Sequence, residues 1–297
     1  MLDEFKNAFQ RPNNAHVQLI IINVVVFFIL VLVFVFSFFA DSESVFRILH
    51  NQFSIPPKIG DFITRPWTAI TYGFAHDHTG VYHILFNMLS LYWFGRLFTE
   101  YLGSDKLIAV YVLGVLAGSM VYLLMFNTIP KLSESSPNGM VGASAAIYSV
   151  MVAAATLLPN HTFFLLFLGP VRIKYIALFF IVVSFIGTTS SNAGGNIAHL
   201  GGALMGYVYI KQLHAGVNWG GWITITLDWI RGLFSTRSKV KVTYRSAEPK
   251  AKASKTTTGP NKASQDEIDA ILDKISDRGY ESLSKEEKEK LFNASKK

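Results

Sequence analysis

Cysteine is absent from all 297 residues. Disulfide frameworks, thiolate nucleophiles and cysteine-held zinc or iron–sulfur centres are therefore excluded. Charge is the second shortage. Only 16% of the residues are Asp, Glu, Lys or Arg, against about 25% in an ordinary soluble domain. No Asp or Glu falls in the middle of the long apolar runs, so no carboxylate lies where those runs would cross a bilayer. The zinc-protease pattern H-E-x-x-H is missing, as are nucleic-acid recognition motifs, and neither a metal, another cofactor nor a nucleic-acid partner is expected. What is abundant is apolar: 51% hydrophobic residues, with 24 Phe, 12 Tyr and 5 Trp.

The apolar residues fall in runs of membrane-spanning length. A hydrocarbon core needs about 20 mainly apolar residues as helix, and Val17 to Ala40 supplies an uncharged run. It is too long for a signal core and lacks a small-residue cleavage site, so it reads as a retained helix. Further spans read as Val81 to Tyr101, Lys106 to Asn127, Val141 to Leu158, Ile173 to Thr188 and Asn196 to Leu213. Several contain His, Asn, Ser and Gly, which must face the interior of a bundle. The expectation is an all-α membrane protein of six transmembrane helices.

Net charge locates the two ends. Residues 211–297 carry 17 Lys and Arg against 11 Asp and Glu, whereas residues 1–210 carry 10 against 9. A basic tail and an even number of spans put both termini in the cytoplasm. Residues 1–16 are then a cytoplasmic N-terminus, 17–213 the membrane domain and 214–235 an interfacial segment containing Trp219, Trp222 and Trp229. Residues 236–263 read as a basic linker and 264–297 as a small helical tail. In that tail Ile268, Ile271, Leu272 and Ile275 recur at helical spacing, Gly279 breaks the pattern, and Ser284 with Glu287 forms a capping box. Some thirty residues bury little core alone, which predicts either marginal stability or docking to a protein partner. The segment from Asp41 to Gly80, rich in Phe, Pro and Trp, reads as an ordered loop half-sunk in the outer interface.

Three polar clusters remain, each placed at membrane depth. His83 and Asn87 lie four apart on one face of the second span. Gly142 and Ser144 open the fourth span, where unpaired backbone N–H groups and the positive helix end meet. In the sixth span Gly195, His199, Gly202 and Gly206 form one stripe, and glycines at this spacing admit another backbone very closely. The helix carrying Ser144 is the expected neighbour, which brings a hydroxyl to an imidazole. Tyr148, one turn beyond Ser144, can pack on that ring. Nucleophile, base and two oxyanion donors are the parts of acyl transfer, with a Ser-His dyad in place of a triad.

In these residues the sequence resembles the rhomboid family of intramembrane serine proteases. The resemblance covers about residues 17–213 and rests on His83-x-x-x-Asn87, on Gly142-Ala143-Ser144 and on Ala198-His199-x-x-Gly202-x-x-x-Gly206, in the family's order. It implies a six-helix rhomboid-like bundle, a Ser144 nucleophile, a His199 base, and an oxyanion hole made by the Ser144 N–H with His83 and Asn87. It implies Tyr148 as the ring stacked on the base. Substrates would be proteins with a transmembrane segment, reaching the site from the bilayer past the fifth span, with Thr189 to Gly195 as a mobile cap. The tail looks like one that accompanies some bacterial rhomboids, which points to the bacterial cytoplasmic membrane. Two positions depart from the pattern: Ala145 stands at the second glycine of G-x-S-G, and Thr68 follows Trp67 where Trp-Arg is usual.

Two other readings compete. A catalytically silent rhomboid-like protein that binds client helices would need Ser144 or His199 to be absent or misplaced, and the presence of both counts against it. A metal site built on His76, Asp77, His78 and His83 lacks two His one helical turn apart with an intervening Glu. His76 and His78 read instead as loop residues at the interface.

Overall fold

The computed structural model describes residues 6–9, 11–133, 139–234 and 265–295. The chain forms two compact units, Met1–Thr236 and Arg237–Lys297. The expected linker, 236–263, lies outside the described residues.

The first unit is built on helices where the apolar runs were read. They are α1 (Ala15–Phe39), α5 (Val81–Leu102), α6 (Ser104–Thr128), α8 (Ser144–Leu157), α9 (Ile173–Gly187) and α10 (Ala193–His214), with the four-residue α7 (Pro130–Ser133) following α6. By length and composition α1 and α6 are able to cross a membrane, while α8 and α9 are apolar but shorter. α1 is apolar all round yet buries one stripe, with Leu19, Ile20, Asn23, Phe27 and Leu30 inward and Phe28 and Phe36 exposed. An exposed apolar face of this kind suits lipid rather than water.

The centre is a three-helix layer of α6, α8 and α10, packed through residues without bulk. A Cβ added at Gly202 would lie 2.8 Å from the carbonyl carbon of Ala145, and one at Gly206 2.9 Å from that of Ser149. The backbones of α8 and α10 are therefore in contact, as small residues allow in helix pairs without a water-driven force between them. Ser149 Oγ donates to Val110 O at 3.0 Å and ties α8 to α6.

The segment before α5 is more structured than a loop. It holds α2 (Glu43–Phe53), α3 (Ile59–Thr64), α4 (Thr68–Thr71) and a 3₁₀ turn at Tyr72–Phe74. Polar side chains fasten it to the bundle. Tyr72 Oη donates to Val115 O at 2.7 Å, Tyr111 Oη to Gly73 O at 2.8 Å, and Asn127 Nδ2 to Pro57 O at 2.8 Å. Thr68 carries no charge, but Arg65, three residues earlier, donates from Nη1 to Asn51 O at 2.7 Å. An arginine thus still staples this segment.

The purely helical expectation misses one element. Between α8 and α9 the strands β1 (Thr162–Leu165) and β2 (Gly169–Arg172) pair antiparallel, with Thr162 opposite Arg172. Its short run of Phe and Leu lacks the alternation that marks a half-buried strand; Gly169, at φ +68°, closes the turn. After α10, α11 (Gly221–Phe234) presents Trp222, Ile225 and Trp229 on its exposed face and buries Ile223.

The second unit contains α12 (Gln265–Arg278) and α13 (Lys285–Ser295). The capping box closes reciprocally: Glu287 N donates to Ser284 Oγ at 3.2 Å and Ser284 N to Glu287 Oε2 at 2.7 Å. Lys274 Nζ meets the same carboxylate at 2.9 Å. That pair, with Ile271 and Leu283 buried, holds the two helices together. Leu272 is exposed, because it falls outside the strip that α13 covers.

Candidate active site

Ser144 is the first residue of α8, and its position follows from the turn before it. Gly142 has φ +145°, a conformation open to glycine and costly for other residues. Its N–H is held by Tyr72 O at 2.9 Å, and an antiparallel bridge between Ile55 and Met140 fixes the approach. Ser144 consequently begins a helix whose first N–H groups have no intrahelical acceptor, at the end where the helix dipole favours negative charge.

His199 approaches from α10. Its Nε2 lies 2.7 Å from Ser144 Oγ, and both residues are half-buried. The ring of Tyr148 stacks on the imidazole at 4.3 Å between centroids and 11° between planes. The contact depends on Gly202, one turn from His199, lying on the backbone of Ala145. Gly195, grouped with that stripe in the sequence, has a different neighbour: a Cβ there would meet Asn192, so it plays no part in joining the helices. Residues 193–195 are the start of α10, so the non-helical stretch expected as a cap shortens to 189–192. Asn196 Nδ2 pins it by donating to Gly187 O and Asn192 O, both at 2.9 Å.

His83 and Asn87 come from the first two turns of α5. A Cβ placed on Gly142 would be 3.4 Å from His83 Cε1 and 3.4 Å from Ser144 Oγ, so the bare glycine is flanked by both groups. Asn87 is buried and pairs through Nδ2 with His76 Nε2 at 3.0 Å. Ser144, His199 and His83 thus meet beside the start of α8, with Tyr148 on the His199 ring, and Asn87 reaches this group through His76, which packs on His83.

Two further residues join them that sequence reasoning did not select. Ser184 on α9 is buried, with Oγ 3.1 Å from His199 Nδ1 and 2.8 Å from Tyr148 Oη. A lone serine in the apolar part of this helix, 176–187, was the available signal. His76, expected at the interface, is instead fully buried; it contacts Asn87 and meets the His83 ring edge-on at 5.4 Å. Burial, with a smaller contribution from His83, holds its pKa down at about 3, so it is a neutral hydrogen-bonding ring at ordinary pH. His78 points elsewhere, against Phe34 at 3.9 Å and Phe46 at 4.9 Å. Asp77 is pushed up by burial, but hydrogen bonds from Thr79 N and Oγ1 outweigh this and hold its carboxyl below the usual range. His76, Asp77, His78 and His83 therefore do not share one centre.

The Rhomboid domain family matches residues 64–216, and a family of unknown function (DUF6576) matches residues 261–297. RHOMBOID-like protein 12, mitochondrial, of Arabidopsis thaliana is 32% identical over 159 residues, covering 50% of this chain and 47% of the relative. Rhomboid protein 1, mitochondrial, of Saccharomyces cerevisiae is 30% identical over 158 residues, covering 50% and 42%. Rhomboid-like protein 16, chloroplastic, of Arabidopsis thaliana is 26% identical over 161 residues, covering 50% and 49%. The chain spans about half the length of the curated relatives it matches. Their names place those proteins in organelles and lend no support to a bacterial cytoplasmic membrane. The family match covers more than half of the sequence and includes His83, Asn87, Ser144 and His199, so this chain is an integral membrane protein of the rhomboid family.

Proposed function

We propose that the chain is an intramembrane serine endopeptidase using Ser144 and His199 as a dyad. The observation that carries this reading is the 2.7 Å contact between Ser144 Oγ and His199 Nε2 at a helix N-terminus. A base within hydrogen-bond reach of a hydroxyl is the geometric requirement for an activated nucleophile.

His199 Nε2 takes the hydroxyl proton as Ser144 Oγ attacks the scissile carbonyl carbon. The carbonyl π electrons move to oxygen, and the oxyanion is met by the Ser144 N–H, His83 and Asn87. On collapse the peptide C–N bond breaks, and His199 gives its proton to the leaving amine. Water then repeats the sequence on the acyl-enzyme, releasing the carboxylate and restoring Ser144. The substrates are proteins presenting a transmembrane segment, admitted laterally from the bilayer past α9 into a bundle of six spanning helices whose termini both face the cytoplasm. Exposed Phe179, Val183 and Ile186 give α9 the lipid-facing surface such access needs.

The test is cleavage of a reporter membrane segment in liposomes. Ser144→Ala and His199→Ala should each abolish cleavage, and a fluorophosphonate should label the wild type but not Ser144→Ala. Undiminished cleavage in either variant removes the dyad from consideration. A wild type that binds client helices without cutting them favours the silent, client-binding reading.

A further inference from the structure

We propose that Ser184 is a positioning residue that fixes the tautomer of His199, standing where a Ser-His-Asp triad has its carboxylate. The inference rests on the dyad reading and adds to it how the base is held ready with no acidic side chain among its described hydrogen-bond partners.

The argument is one of counting protons. His199 Nδ1 lies 3.1 Å from Ser184 Oγ, Ser184 Oγ lies 2.8 Å from Tyr148 Oη, and Tyr148 Oη lies 3.4 Å from the carbonyl oxygen of Phe180. A carbonyl only accepts. Tyr148 must therefore donate to Phe180, which leaves its oxygen to accept the Ser184 proton. The Ser184 oxygen in turn accepts the proton on Nδ1. Every donor is used once and the direction of the chain is set from its far end. Nε2 is left bare, with its lone pair toward the Ser144 hydroxyl 2.7 Å away. The opposite direction would put the proton on Nε2, where it could not accept from Ser144, and would leave the Phe180 carbonyl without this donor.

Burial gives independent support. Among the described side chains of α9 only Ile173, Ala177 and Ser184 are buried, so Ser184 is the one polar member of the helix's inward stripe. A hydroxyl removed from water at membrane depth must find partners, and both of its partners belong to the proposed machinery. Tyr148 thereby has a second role: its ring stacks on His199 while its hydroxyl passes on the direction of the chain. Ser184 and the Phe180 carbonyl are on the same helix, so a shift of α9 away from the bundle draws the acceptor from Nδ1. In the proposed protease, the base is fully organised only while that helix is seated.

The experiment uses the full chain reconstituted in liposomes, comparing wild type, Ser184→Ala, Ser184→Thr and Tyr148→Phe. The histidine ring nitrogens are ¹⁵N-labelled, and His199 is assigned by difference from His199→Ala. The proposal expects a predominantly Nδ1-protonated ring in the wild type and a tautomer mixture in Ser184→Ala. For reporter cleavage it expects kcat to fall about 10- to 100-fold in Ser184→Ala with KM unchanged, as for loss of a group that orients a general base. Ser184→Thr keeps the hydroxyl and should restore most of both signals. An unchanged tautomer in Ser184→Ala, or wild-type kcat with the tautomer lost, overturns the proposal. If Ser184→Ala does not fold, Tyr148→Phe decides: it keeps the stacked ring and removes the intermediate hydroxyl, and an unaltered tautomer there is equally fatal. Should the wild type prove to be no protease, the ring spectra still read the Ser184 contact, so that failure is told apart from failure of the dyad.

Discussion

Gly202 offers a direct test of whether the two halves of the site are held together by backbone contact. In Gly202→Ala the new methyl would sit 2.8 Å from the Ala145 carbonyl carbon and 3.2 Å from its Cα, with the carbonyl oxygen nearer still. Carbon atoms in contact prefer about 3.5–4.0 Å, so α8 and α10 must separate by roughly 1 Å at this point. The neighbour is main chain in a packed helix and cannot swing aside. Ser144 precedes Ala145 and His199 lies one turn before Gly202, so most of the separation is transmitted to the 2.7 Å contact between them. A displacement of about 1 Å at a reacting pair costs on the order of 100-fold in rate, and overpacking costs about 1–3 kcal/mol in stability. Cleavage of the reporter and the thermal midpoint in detergent should therefore both fall. Gly206→Ala meets the Ser149 backbone as closely, but one turn farther from the dyad, and should lose comparable stability with a smaller loss of rate. Gly60→Ala, with nothing within 4 Å, should change neither. Wild-type cleavage and midpoint in Gly202→Ala would falsify the close-packed origin of the dyad.

Asn87→Ala removes one proposed oxyanion donor and should slow turnover about 100-fold, within the usual 10²–10³ range for such a donor; a normal rate would mean that Asn87 serves packing alone. His76 has a folded pKa of about 3, lowered by burial and then by His83, against about 6.5 when unfolded. The unfolded chain binds more protons between these values, so stability from this site is present in full above about pH 6.5 and is lost as pH falls toward 3. Replacement by Asn, which keeps an acceptor but cannot titrate, should flatten thermal midpoint against pH over that window; an unchanged slope refutes the assignment. In the tail, Lys274 and the Ser284 N–H lower the pKa of Glu287. The stabilisation is present above the ordinary Glu pKa of about 4.3 and is lost as pH falls through the lower folded value. Amide exchange in residues 280–295 should accelerate on acidification in the wild type and already be fast at neutral pH in Glu287→Gln; equal protection in both would show the pairing to be idle.

The helices were legible in sequence because their signals are local. The long apolar runs place α1 and α6 within a few residues, and Ser284 with Glu287 marks the start of α13 through a capping pattern only four residues long. The short hairpin at 162–172 was not legible, because four-residue apolar strands carry too little periodicity. Within the candidate site, His83, Asn87, Ser144 and His199 stood out as polar residues in apolar surroundings. Ser184 did not: one serine in a spanning helix satisfies itself readily on its own backbone carbonyls, and only packing shows that it does not. His76 sat beside Asp77 and His78 in a stretch that reads as exposed, and its burial comes from the segment folding back over the start of α5.

Composition and spacing alone determined that this is a chain of apolar helices with chemistry placed at three separate points, because hydropathy and helical period are properties of neighbours in sequence. They also brought Gly202 and His199 onto one stripe. Only the tertiary structure decided which partner that stripe meets, which nitrogen of His199 faces Ser144, and that Ser184 and His76 lie against His199 and Asn87. Those matters depend on residues 11 to 55 positions apart approaching within hydrogen-bond distance. Such an approach is set by the fit of whole helices, which no local pattern records.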